Sequence, residues 1–206
     1  MKITRTTTRE PVPMGVFPAR AYKIIHFGTV PDVYMGEQKL TNKLRIDWEM
    51  PTETKVFDPD KGPQPLSISK DYTASFNEKS NLYKDLTSWL GDLSKYDEFD
   101  LNQVLGKDCM INIQHKTSGA GNVYAYVSSI MPMPQGMDCP PPVNPQFIFD
   151  YEEHFDDGVI ENMHEYFRDK IKSSLEYKAK MDPVDIPEAP MPKAEDEQPG
   201  LDSFDL

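Results

Sequence analysis

Residues 43–50 read KLRIDWEM, and their side chains alternate without a fault. Leu44, Ile46, Trp48 and Met50 fall on one face, Lys43, Arg45, Asp47 and Glu49 on the other. A period of two marks a β-strand with one face buried and one face wet. Upstream, residues 20–27 (RAYKIIHF) read as a strand rich in aromatic and β-branched residues, stopped at Gly28. Both of its faces are mixed: Tyr22, Ile24 and His26 on one, Ala21, Lys23, Ile25 and Phe27 on the other. The 29–42 stretch between these strands, with Pro31 and Gly36, reads as a loop. Pro51 ends the alternation, residues 51–65 read as a second polar loop, and residues 66–74 (LSISKDYTA) as a third, weaker strand.

Ser75-Phe76-Asn77-Glu78 has the form of a capping box, in which hydroxyl and carboxylate satisfy the first free amides of a helix. Leu82, Leu86 and Trp89 or Leu90 follow at helical spacing, and Gly91 supplies a left-handed stop. A short turn over residues 100–105 starts at a possible Asp100 cap. Two strands come next, 109–116 (CMINIQHK) and 122–130 (NVYAYVSSI), joined as a hairpin by residues 117–121. The order β-β-β-α-β-β is that of the OB-fold, a five-stranded Greek-key barrel with its helix between strands three and four. The 29–42 and 117–121 loops fall between strands one and two and strands four and five, where OB-folds grip oligonucleotides.

Beyond the barrel (residues 15–130), residues 131–145 (MPMPQGMDCPPPVNP) form a proline-rich strap. Ile160, Met163, Phe167, Ile171 and Leu175 then predict one amphipathic helix over residues 159–180. Residues 1–14 open with a basic, threonine-rich arm carrying Lys2, Arg5 and Arg9. Residues 181–206 are rich in proline and carboxylates, with few apolar residues before the closing Leu201, Phe204 and Leu206; that composition predicts disorder. The net charge of −12 would argue against a polyanion partner, but it accrues entirely beyond residue 130. Acids and bases balance before that point, so a local basic groove is compatible with the composition.

Several function classes find no support. No apolar run approaches the ~20 residues of a membrane span. The N-terminus has no apolar signal core, which predicts a cytoplasmic protein. Cys109 and Cys139 fit no zinc spacing, and the four histidines form no ligand set. GxxxxGK[ST], GxGxxG and GxSxG are absent, so no metal or cofactor is expected. Asp97, Glu98 and Asp100, or Asp150, Glu152, Glu153, Asp156 and Asp157, would suit a metal-dependent nuclease only with a catalytic set that the sequence does not complete. The expectation is a protein that is not an enzyme.

An OB-fold that holds a single strand needs exposed aromatic faces and cations along the phosphates. With Val123, Ala125 and Val127 facing inward, Tyr124 and Tyr126 project from strand five as a stacking pair; the alternative is ordinary cross-strand packing. Tyr22 and Lys23 on strand one, Lys43 and Arg45 on strand two, and His115 and Lys116 at the strand 4–5 loop are further DNA-contact candidates. Lys39, Lys70 and Lys107 complete that set, each with the alternative of a solvated surface charge. Trp48 and Trp89 read as core.

RAYKIIHFG, YMGEQKLTNKLRIDWEM, the capped helix ending SWLG, FDLNQVLGKDCMINI and VYAYVSSIMPMP together resemble tailed-bacteriophage OB-fold proteins described as single-stranded DNA-binding. The resemblance covers residues 15–135, with a similar helix near 160–178. It implies single-stranded DNA binding in phage replication or recombination, in the cytoplasm of an infected bacterium. The tail is similar to the acidic tip of bacterial and phage single-stranded DNA-binding proteins, which recruits replication and repair enzymes. That similarity implies a partner-binding role for Phe204, Asp205 and Leu206, although this chain ends Phe-Asp-Leu where the bacterial tip ends Pro-Phe. The competing expectation is an OB-like scaffold for other proteins that never touches DNA.

Overall fold

The structure is a computed structural model that describes residues 10–34 and 36–182. The first strand, β1 (Gly15–Tyr34), is the hub. It pairs antiparallel with β2 (Glu37–Asp58) from Arg20 onward, and β2 pairs with β3 (Gly62–Thr73). The other edge of β1 is shared out along its length. Residues Gly15 to Arg20 pair with β4 (Asp108–Thr117), Ala21 bonds the turn at Gly106 and Lys107, and Lys23 to Ile25 pair in parallel with β6 (Phe147–Phe149). With β5 (Val123–Met131) on β4, the order is β3-β2-β1-β4-β5. The end strands approach each other, giving a nearly closed antiparallel five-strand barrel.

Leu44, Ile46, Trp48 and Met50 line its interior with Ala19, Ala21, Ile24, Ile111, Ile113, Val127 and Ile130. Helix α1 (Asn81–Leu90) lies between β3 and β4 in the chain and packs Leu82, Leu86 and Trp89 on that core. Trp48 and Trp89 are buried as read, their ring centres 6.4 Å apart, and the Trp89 Nε1 donates to the Asp108 carbonyl at 2.9 Å. The helix begins later than the capping box implied. Ser75 instead accepts from the Asn77 amide in a local turn, a common competitor of helix at such residues, and Ser80 is the N-cap. Gly91 stops the helix as expected, and residues Leu101–Val104 form a 3-10 turn capped by Asp100.

The expected loops at 29–42 and 51–65 are instead largely two-stranded arms, because β1, β2 and β3 run on past the barrel. Gly28 does not end β1. It sits at a bulge with φ of +77°, where any side chain would strike Glu176 and Tyr151. Pro51 does not end β2 either; the ladder slips between Met50 and Thr54 and then continues. Pro31, Pro63 and Pro65 all lie within strands.

A first bulge, between Ala21 and Lys23, explains why β1 looked mixed on both faces. Ala19, Ala21 and Ile24 point into the barrel, while Ile25, Phe27 and Val30 belong to a second core outside it. That core is closed by β6 and three short helices, α2 (Asp157–Glu161), α3 (Glu165–Lys172) and α4 (Leu175–Met181), where one amphipathic helix was expected. Asp156, His164 and Ser174 start the three. Fully buried Ser174 caps the Tyr177 amide and meets the Tyr151 hydroxyl at 2.8 Å, which also donates to the Phe27 carbonyl at 3.0 Å. Of the predicted apolar face, Ile160, Met163, Phe167 and Ile171 pack as expected, whereas Leu175 is exposed. The proline-rich strap is tied down by buried Glu49, which accepts from the Val143 and Asn144 amides and from the Asn144 side chain. The acidic tail beyond Asp182, the basic arm before Glu10, and with them Phe204, Asp205 and Leu206 lie outside the described residues.

Two stability predictions follow from this second core. Phe149 is fully buried, so Phe149→Ala should cost about 3–5 kcal/mol in urea unfolding. An unchanged midpoint would separate the C-terminal module from the cooperative unit. Next to it, burial pushes the Asp150 carboxyl up, but His154 and the amides of Glu153, Glu152 and His154 outweigh that and hold it at about 2. A depressed carboxylate contributes stability above its ordinary pKa and loses it as pH falls through the folded value. Asp150→Ala should therefore lower the urea midpoint at neutral pH, and the gap to the parent chain should close as pH falls toward about 2.

Candidate nucleic-acid interface

The candidate contacts divide among several parts of the surface. On the outer face of β1–β3, Lys23 Nζ lies 2.9 Å from Asp47, Lys43 Nζ 2.7 Å from Asp32 and Arg45 Nε 2.5 Å from Asp71. Each of these cations already has a carboxylate partner. Helix α3 covers part of the same face, with the Phe167 ring 5.4 Å from the Lys23 ammonium and 5.1 Å from the Arg45 guanidinium. Burial pushes the Asp47 carboxyl up against the pull of Lys23. Tyr22 is half-buried beside this pair. Burial and the Asp47 charge raise its hydroxyl pKa, and Ser67 is its hydrogen-bond partner.

Lys70 points toward α1, with its Nζ 2.6 Å from Asp85, and the Tyr72 hydroxyl donates to the same carboxylate at 2.8 Å. Lys39 is exposed on the β1–β2 arm, opposite Asp32, and Lys107 is exposed at the entry to β4. His115 meets the Val12 carbonyl through Nε2 at 2.7 Å and so holds the segment before β1. These three lie on separate elements.

Lys116, Tyr124 and Tyr126 do come together. In the β4–β5 ladder Lys116 is opposite Tyr124 and Gln114 opposite Tyr126, so all four share one outer face. The Lys116 ammonium sits 4.4 Å from the Tyr126 ring centre, and the Tyr126 hydroxyl donates to Gln114 at 2.9 Å. Tyr124 is 47% exposed. Val123, expected inside, is exposed as well, because the start of β5 projects past the barrel; Val127 is the first of that series to be fully enclosed.

This projecting end forms one side of an open groove of about 770 Å³. The β2–β3 arm forms another, through Lys55, Phe57 and Ser67, and Pro11–Pro13 contribute a third. Phe57 is 52% exposed, so two half-exposed rings, Tyr124 and Phe57, line the groove from different hairpins. Lys55 pairs with exposed Glu10 at 3.2 Å, an ion pair that water and salt readily loosen. Phe57 was not among the sequence candidates; the available signal was an apolar pair, Val56-Phe57, inside an otherwise charged stretch.

Several members of the acidic clusters have local structural roles. Asp100 caps the 3-10 turn, Asp150 accepts three successive backbone amides, and Asp156 caps α2. Among the described residues no three His, Cys, Asp or Glu side chains are placed to hold a metal ion, and no helix is long and apolar enough to cross a membrane. Neither a family model nor a curated protein matches this chain.

Lys70 provides a direct test of this division. Lys70→Met removes the cation from Asp85, leaving the Tyr72 hydroxyl on it, and should destabilise the fold by less than the about 3–5 kcal/mol of a fully buried pair. Thermal unfolding should show the loss, while affinity for a labelled oligothymidine at a temperature where the variant is folded should match the parent.

Proposed function

We propose that this protein binds single-stranded DNA without catalysis, through an OB-like barrel that takes the strand in the groove between the β4–β5 hairpin and the β2–β3 arm. The observation that carries the reading is the pair of half-exposed rings, Tyr124 and Phe57, facing an open groove from separate hairpins. Rings presented in this way stack bases with little regard to sequence, for about 1–3 kcal/mol per base. Lys116 and Lys55 flank them as phosphate contacts. Strand order, with β1 between β2 and β4, supports the OB-like assignment, and so does α1 between β3 and β4. The resemblance to tailed-phage proteins supports a role in phage replication or recombination, with the acidic tail recruiting partners.

A second reading, an OB-like scaffold that binds only proteins, draws on a different observation. The candidate cations Lys23, Lys43 and Arg45 are paired with carboxylates and lie partly under α3. The two readings separate in a fluorescence titration with labelled oligothymidine and duplex at two salt concentrations. The proposal expects tighter binding of the single strand. It also expects a log–log salt slope of about −1.4 for two phosphate contacts, at about −0.7 each. Tyr124→Ala and Phe57→Ala should each weaken the single-strand complex by about 1–3 kcal/mol. Duplex binding as tight as single-strand binding, or none at low salt, would favour the scaffold.

A further inference from the structure

We infer that Tyr166, on α3, is a second base-stacking platform, so that the C-terminal module forms part of the DNA path as well as covering the barrel. This rests on the single-strand reading above and extends it to a separate groove.

Tyr166 is 50% exposed at the edge of an open groove of about 580 Å³, which runs between the β1–β2 arm, β3 and α3. Its ring is flanked by cations from two elements: the Arg45 guanidinium lies 5.8 Å from the ring centre and the Lys170 ammonium 5.5 Å. The ion pairing there is uneven. Arg45 and Lys170 both turn to one carboxylate, Asp71, at 2.5 Å and 3.3 Å, while Lys43 meets Asp32 at 2.7 Å and Arg168 meets Asp169 at 3.7 Å. Beside the ring itself, two cations thus share one carboxylate. A phosphate drawn toward Arg45 or Lys170 places its neighbouring base within reach of Tyr166. The ring is rigidly mounted, because Phe167, the next residue, packs into the second core against Phe27.

The two grooves are joined by one strand. Along the outer face of β3, Ser67 lines the first groove and Asp71 the second, with exposed Ser69 between them. Four residues of β-strand span about 13 Å. A continuous strand touching both platforms stays within the roughly 4–16 nucleotides that one OB-fold holds.

The test is a titration of the full chain with labelled fifteen-residue oligothymidine. Tyr166→Ala should weaken binding roughly 5- to 150-fold, the worth of one stacked base, and Tyr166→Phe should bind as the parent does. Thermal unfolding verifies that both variants are folded. In parallel, an oligonucleotide carrying 5-iododeoxyuridine should cross-link on irradiation to the peptide containing Tyr166, a readout that needs no variant. If Tyr124→Ala weakens binding while Tyr166→Ala does not and no cross-link reaches α3, this inference falls and the first groove stands alone. If the parent binds no oligothymidine, the single-strand reading itself falls and this inference with it. If Tyr166→Ala changes self-association and leaves oligonucleotide affinity alone, the patch is a protein-docking surface and the inference is overturned.

Discussion

The architecture depends on the change of facing in β1 at the Ala21–Lys23 bulge. Before it, alternate residues point into the barrel. After it, Ile25, Phe27 and Val30 form an apolar stripe on the outside. An exposed stripe of that kind is unfavourable in water, and the chain covers it with its own C-terminal module. One extra residue in one strand thus creates two cores from a single sheet. It also explains why β6 lies on β1, on the edge that β4 has already left.

That cover determines what the surface can do. The module places carboxylates, rings and cations of its own over part of β1 and β2, so much of the charge on that side is internally balanced. The hairpins remain open, because they extend beyond both cores. Of the two half-exposed rings in the first groove, one stands on a strand whose barrel end is packed and the other on an arm. Exposure in this molecule therefore marks where strands outrun the packing beneath them.

The alternating stretch around Trp48 was legible because its period follows from one buried face, and β3, β4, β5 and α1 were legible for similar reasons. The limits of β1 and β2 were not. Glycine and proline there mark bulges and ribbon edges, and a ribbon tolerates both as well as a loop does. The C-terminal helix was read as continuous because its apolar spacing survives the breaks; Ser174 interrupts it through a bond to Tyr151, which lies 23 residues away in the chain. Among the candidate site residues, the outward placement of Tyr124 and Tyr126 was legible from alternation alone. The half-exposed rings of Phe57 and Tyr166 were not legible, because their exposure depends on which neighbours the fold withholds. The partners of Lys23, Lys43, Arg45 and Lys70 are cross-strand or helix-borne and have no signature in local sequence.

The β1 arm ends with a property of its edge. Beyond the Gly28 bulge every second amide of β1 turns away from β2, and a free row of such donors is a template on which another chain can add a strand. Here the row is empty. The Thr29 N–H is held by the Glu176 carboxylate at 2.6 Å, Pro31 has none, and the Val33 N–H is turned onto Asp32 at 3.0 Å. On the other arm, exposed Pro63 removes a donor in the same way. A strand arriving from a second molecule at this edge of β1 therefore finds no free N–H to donate to it between Thr29 and Val33.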